Sequence, residues 1–181
     1  MSLPPPARHV VDWMEELFPD EPDVAGALRE SIAERSDRID RAYREVLDGY
    51  RTDPARVLTF TRDVDEGGYH GCVETREIPF LSICAHHFLP FFGTVDVTYW
   101  PGRHIIGLGK IPRLVHCRAR RFQIQETLVQ EVAQDMMNYG GARGVIVSAT
   151  AKHLCVCYRG PNAAPVVNRT SYRLGETGGD A

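Results

Sequence analysis

The sequence predicts an α+β fold, an antiparallel sheet with helices packed on one face behind an N-terminal helical segment, and three observations predict it. Apolar residues recur at helical spacing through the first third, fall into shorter β-rich runs after Pro54, and return to helical spacing in one long stretch of the second half. In Val10 to Phe18, the residues Val10, Val11, Trp13, Met14, Leu17 and Phe18 form a helix-like stripe, which Pro19, Asp20 and Pro22 end. From Ala25 to Leu47, Leu28, Ile32, Ile39, Ala42, Tyr43, Val46 and Leu47 keep the helical spacing; Ser36-Asp37 can supply an N-cap that divides the run, and Gly49 is a stop. Val57 to Thr61, Gly71 to Arg76 and Gly93 to Trp100 read as strands. In the last of these Val95, Val97 and Tyr99 alternate with Thr94, Asp96 and Thr98, the pattern of a strand with one covered face. A turn at Pro101-Gly102 predicts a hairpin closed by His104 to Leu108. Between Phe122 and Tyr139, a stripe of Leu128, Val129, Val132, Ala133, Met136 and Met137 predicts the clearest helix, ended by Gly140-Gly141. Val145 to Ala151 then alternates as a strand and delivers His153 and Cys155 near its far end.

With 181 residues, 43% hydrophobic and 25% charged, the chain has enough apolar material for one compact domain with an appended helical segment. The expected division is a helical segment at 1–53, an α+β domain at 54–175 and a flexible tail at 176–181. The Pro-rich start and the Gly-rich, acidic end contain no apolar run suited to a signal peptide or membrane span, so a cytoplasmic protein is expected. A net charge of −3 argues against a general nucleic-acid binder, although local basic groups can still hold a phosphorylated small molecule. Five cysteines, an odd number without a secretory signal, point to metal binding over a disulfide framework.

The chemistry is concentrated in Cys84-Ala85-His86-His87 and, far downstream, His153-Leu154-Cys155. Two thiols and three imidazoles suit zinc, which takes Cys sulfur and His nitrogen and, in catalytic sites, keeps three protein ligands with water in the fourth position. Two cysteines and one histidine fill such a site and leave two histidines for proton transfer. A closed structural site using four of these groups, or plain packing, are the alternatives. Cys157, two residues beyond Cys155 on an expected strand, competes with it as a ligand. Cys72 and Cys117 read as small buried or half-buried residues, and Arg118 and Arg120 as solvated surface charges.

The stretch Ser82-Ile83-Cys84-Ala85-His86-His87-Phe88-Leu89-Pro90-Phe91 resembles the signature of GTP cyclohydrolase I, whose usual form has Glu at the position of Ala85. Further blocks agree in order: Ile106 to Arg113, Arg121 to Glu126, His153 to Gly160, and the upstream run Arg38 to Tyr43 ending at Gly49-Tyr50. The resemblance covers most of the chain from about residue 25 onward. It implies a tunnelling fold (T-fold) whose subunits close into a ring, typically a homodecamer of two stacked pentamers with active sites between subunits.

By position the resemblance implies Cys84, His87 and Cys155 as ligands of Zn2+, and His86 and His153 as proton-transfer groups. It implies Glu126 as the reader of guanine, assisted by Gln125, and Arg38, Arg41, Lys110, Arg113 and Arg159 as triphosphate contacts. A carboxylate suits guanine because it accepts from both the ring N–H and the exocyclic amine; guanidinium forks suit phosphate oxygens. Without the resemblance, Glu126 reads as a solvated carboxylate in a helix's first turn. The implied reaction opens the guanine imidazole ring of GTP at C8, releases formate and gives 7,8-dihydroneopterin triphosphate. Arg41 stands where many members have Lys. Two departures fall at the implied active site, Ala85 in place of Glu and Gly109 in place of Ser. They keep three alternatives open: a relative that stops at a ring-opened pyrimidine or takes another purine, a T-fold enzyme acting on a pterin or deazapurine, and a non-catalytic, zinc-stabilised ring protein that binds a nucleotide.

Overall fold

The computed structural model describes residues 5–33, 35, 37–64 and 69–178, which form two compact units, 1–45 and 46–181. The first is helical: α1 (Pro5–Leu17), α2 (Pro22–Ala33) and α3 (Asp37–Val46). Ala7, Val11, Ala25 and Ile32 make its small core, with Met14, Leu28 and Ile39 packed against them. Arg29 pairs with Glu15 between α1 and α2. The predicted break near Ser36-Asp37 lies between α2 and α3, with Ser36 itself outside the described residues. Only part of the first predicted stripe is covered, since Trp13, Leu17 and Phe18 remain exposed.

The second unit opens with a 3-10 turn (Asp48–Arg51) and a short α4 (Pro54–Val57), which Asp53 caps by accepting a hydrogen bond from the Ala55 N–H. Gly49 ends no helix. It is buried in the turn, where a Cβ would lie 2.3 Å from the Cys117 carbonyl oxygen, so the close approach of two backbones requires glycine. Strands β1 (Phe60–Asp63), β2 (Val73–Cys84), β3 (Pro90–Pro101) and β4 (His104–Ile106) follow, then α5 (Lys110–Ala119), β5 (Phe122–Gln123), α6 (Gln125–Asn138), β6 (Ala142–His153), α7 (Leu154–Cys157) and β7 (Asn168–Gly175).

The main sheet has the order β5-β2-β3-β6-β7, antiparallel except for the β2–β5 pair. Val95, Val97 and Tyr99 of β3 and Val145, Val147 and Ala149 of β6 turn one face inward, where they meet Ile111, Leu114 and Val115 of α5 and Leu128, Val129, Val132, Ala133 and Met136 of α6. Each of these side chains is almost fully buried, and truncating one of the larger to Ala costs about 2–5 kcal/mol.

Further expectations are corrected. Val57 closes α4 and the first strand begins only at Phe60. His104 to Ile106 pairs with β1, not β3, because both edges of β3 are taken: Tyr99 faces Val73 of β2 on one side and Val145 of β6 on the other. The predicted helix from Phe122 starts at Gln125, since Phe122 and Gln123 pair in parallel with Ile83 and Cys84. Arg118 is no surface charge: its guanidinium donates to both Asp135 carboxylate oxygens, at 2.6 and 2.7 Å, with the Arg118 side chain 17% and that of Asp135 4% exposed. Cys117 is buried as expected, whereas Cys72 is exposed.

Candidate active site

Sheet register gathers the reactive residues at one end of the main sheet. Ile83 of β2 pairs with Pro90 of β3, and Phe91 of β3 with His153 of β6, so three neighbouring strands finish side by side. Cys84 pairs with Gln123 on the other side of β2, two residues before the start of α6 at Gln125.

Cys84 and Leu89 frame the loop between β2 and β3. The Cys84 N–H donates to the Leu89 carbonyl and the Phe88 N–H to the Cys84 carbonyl, each at 2.9 Å. Phe88 sits at φ 61°, a left-handed conformation unfavourable for a bulky side chain, and its ring packs on Phe122 at 4.6 Å between centroids. The Ala85 N–H donates to the Gln123 carbonyl at 3.0 Å, tying the loop to β5. This arrangement lifts His86 and His87 into exposed positions while Cys84 stays buried.

Cys155 arrives from the opposite direction, in the single helical turn α7 that follows His153. The ligand atoms of Cys84, His87 and Cys155 all lie within 4.8 Å of one another, with both thiols buried. Cys84 Sγ and His87 Nδ1 are 3.9 Å apart. Two sulfurs and an imidazole nitrogen in this compass suit a borderline-soft divalent ion such as zinc, and among the described residues the donor set stops at three. Burial, and then the neighbouring Cys84 thiol, push the Cys155 thiol above its ordinary 9.0, while Arg159 opposes the shift. The competing ligand is turned away. Because residues 154–157 are helical and not a strand, Cys157 does not share a face with Cys155, and its thiol points to the Val166 carbonyl, 4.0 Å away.

His153 is half-buried. Its ring stacks on Phe91, with centroids 4.5 Å apart and planes within 6°, and its Nε2 lies 2.7 Å from Gln125 Oε1. Burial lowers its pKa from 6.5, and the Glu126 carboxylate opposes the shift, which places Glu126 within electrostatic reach of the ring. Glu126 itself is exposed in the first turn of α6. Gln125, expected to assist in reading guanine, is 2% exposed. Its amide nitrogen donates to the Ala149 and Asn168 carbonyls, at 2.9 and 3.1 Å, so neither N–H is left for a base. The ring of His86 is 6.2 Å from that of His87 and is not part of the three-donor group.

Lys110 opens α5, Arg113 is exposed one turn later, and Arg159 is exposed just beyond α7. Among the described residues these three cations make no ion pair. Arg38 and Arg41 belong to α3 of the first unit; both are exposed, and Arg41 lies 3.7 Å from Asp37. At the two departures there is room for the usual residues. Ala85 is exposed, and a Cβ added at Gly109, whose φ is −69°, meets no heavy atom within 4 Å.

The family model of GTP cyclohydrolase I matches residues 24–181. The chain belongs to the GTP cyclohydrolase I family. A relative named GTP cyclohydrolase 1 from Campylobacter lari is 41% identical over 143 residues, covering 79% of this chain and 74% of its own. Another of that name from Campylobacter jejuni subsp. doylei is 38% identical over 161 residues, 89% and 81% of the two chains. A third, from Bifidobacterium longum, is 44% identical over 133 residues, 73% of this chain and 65% of its own. This GTP cyclohydrolase I family is one of hydrolases, and its T-fold is the α+β architecture described above.

Sequence reasoning missed Phe91 as the stacking platform of His153 and Gln125 as its hydrogen-bond partner. For Phe91 a signal existed: it is the second residue of the strand that leaves the Cys-His loop, so it must lie beside whatever that strand pairs with.

Proposed function

We propose that this protein is a zinc-dependent GTP cyclohydrolase that opens the guanine imidazole ring at C8, releases formate and forms 7,8-dihydroneopterin triphosphate. The observation that carries the reading is the meeting of Cys84, His87 and Cys155 within 4.8 Å in a chain of this family. These three residues would hold Zn2+, which when bound supplies Lewis acidity and lowers the pKa of a coordinated water toward neutrality.

The remaining roles fall to the chain's own side chains. His153, kept neutral by burial and fixed at one face and one edge, accepts and returns a proton at the reacting ring; the exposed His86 is the second proton-transfer group. Glu126 reads guanine through its N–H and exocyclic amine. Lys110, Arg113 and Arg159, with Arg38 and Arg41, neutralise the triphosphate. The catalytic T-fold domain comprises residues 54–175, between the helical segment 1–53 and the tail 176–181. A homodecameric ring with sites between subunits agrees with two features: β7 ends the sheet with its outer edge unpaired among the described residues, and Leu108 and Tyr158 are 64% and 73% exposed.

The test is to incubate zinc-loaded protein with GTP, identify the product by mass and quantify formate in the same sample. Dihydroneopterin triphosphate with equimolar formate is expected. A ring-opened pyrimidine as the end product would replace this reading with chemistry truncated at Ala85 and Gly109, and unchanged GTP would contradict it outright.

A further inference from the structure

The Gln125 amide is a fixed donor–acceptor fork. Both of its N–H bonds are taken by backbone carbonyls, Ala149 on β6 at 2.9 Å and Asn168 on β7 at 3.1 Å. Carbonyl oxygens only accept, so the amide cannot be turned over without facing two acceptors with a third. Its oxygen must therefore be the atom presented to His153 Nε2, 2.7 Å away, and an amide oxygen can only accept. In a neutral imidazole one nitrogen carries the proton and the other a lone pair, so a donor at Nε2 leaves the lone pair on Nδ1. The Phe91 stack holds the ring plane while Gln125 holds its edge.

We infer that Gln125 is a positioning residue, which holds His153 as the Nε2–H tautomer and so makes Nδ1 the nitrogen that exchanges protons with substrate. This rests on the proton-transfer role proposed for His153, but the tautomer itself is a property of the resting protein. It also gives the glutamine a different role from the adjacent Glu126. Glu126 is exposed and free to contact a base, whereas the Gln125 side chain is buried and its oxygen faces the histidine.

The direct test is nitrogen NMR of zinc-loaded protein carrying ring-15N histidine, with the His153 signals assigned by their loss in His153→Gln. The wild-type ring is expected to show an N–H-type shift at Nε2 and a lone-pair-type shift at Nδ1. Gln125→Leu, of similar length but without the amide, is expected to mix the tautomers and to lower kcat by about 10–100-fold, the usual cost of removing a hydrogen-bond partner behind an active-site histidine, with KM for GTP little changed. A lone pair at Nε2 in the wild type would overturn the inference, as would a pure Nε2–H tautomer surviving in Gln125→Leu. A variant that raised KM at constant kcat would also overturn it, returning Gln125 to direct substrate contact. If Gln125→Leu fails to fold, the wild-type spectrum alone still decides the tautomer. Separately, full activity in His153→Ala would remove the proton-transfer role of the histidine while leaving the tautomer measurement valid.

Discussion

Helix α6 carries two buried polar systems, and they are completed in opposite ways. Toward its C-terminal end, Asp135 accepts two hydrogen bonds from Arg118, while Glu131 lies 3.6 Å from the same guanidinium and accepts from Gln123 Nε2 at 2.7 Å. Gln123 Nε2 also donates to the Arg118 carbonyl, so the system closes on itself and ties α5, β5 and α6 together. At the N-terminal end, Gln125 is equally buried and satisfied, but its last hydrogen bond goes to His153, and nearby in sequence Cys155 joins a group of three side chains able to hold a metal ion, with no fourth donor in that group among the described residues. A buried polar network whose members are all partnered holds elements in place. One that ends on an imidazole nitrogen and an incomplete donor set has bonding capacity left for a ligand.

Breaking the two systems should separate activity from stability. The largest effect is expected from His153→Ala, which should lower kcat for GTP by about 10²–10⁴-fold, the range for loss of a general acid–base group, while zinc content and thermal midpoint stay near wild type. Steady-state kinetics with metal analysis on the same preparation checks this. Asp135→Ala leaves the Arg118 charge buried without its main partner and should destabilise the fold by about 3–5 kcal/mol in denaturant unfolding. The kinetic constants of the protein that remains folded should hardly move. A selective loss of kcat in Asp135→Ala would erase the distinction between the two ends.

The three-donor end should also respond to pH. Burial and the adjacent Cys84 thiol raise the Cys155 pKa above 9.0, so without metal this thiol is protonated at neutral pH. Metal binding must displace that proton, and affinity therefore rises with pH until the raised thiol value is passed, and weakens in acid. Chelator competition at several pH values should show about a tenfold gain in zinc affinity per pH unit for each thiol proton displaced. A flat profile would mean that thiolates are already present before metal binds. The smallest effect belongs to Gly109→Ser. The hydroxyl enters open space at the N-cap of α5, where Ser exceeds Gly by only a few tenths of a kcal/mol, so calorimetry should register a slight gain in stability. A marked change in product identity from this variant would assign function to the departure itself.

Much of this arrangement was legible in the sequence because periodicity and spacing report single elements well. The stripe from Leu128 to Met136 gave α6, and the alternation of Val95, Val97 and Tyr99 gave the buried face of β3. The resemblance grouped Cys84, His87 and Cys155, and the fold brings those three residues together. What escaped depends on partners far apart in the chain. The pairing of β4 with β1 follows from the occupied edges of β3, which no local pattern reports. Helix α5 has no counterpart among the expected elements; Pro112 stands in its first turn, where it removes no needed N–H. Strand β7 was missed because Asn168, Arg169, Thr170 and Ser171 place polar groups on both faces, as an edge strand tolerates. Arg118 looked like a surface charge until Asp135, seventeen residues on, was seen to face it. The hydrogen bonds of the Gln125 amide nitrogen to carbonyls of β6 and β7 likewise join residues far apart in the chain.

Metal stoichiometry across the cysteines decides whether Cys84, His87 and Cys155 hold the ion. Zinc should be measured per chain in wild type, Cys84→Ser, Cys155→Ser and Cys157→Ser, with GTP turnover recorded on the same samples. One zinc per chain and full turnover are expected in wild type and in Cys157→Ser, and loss of both in the other two variants. Loss of zinc in Cys157→Ser, or its retention with turnover when Cys84 or Cys155 is replaced, would contradict the three-donor site.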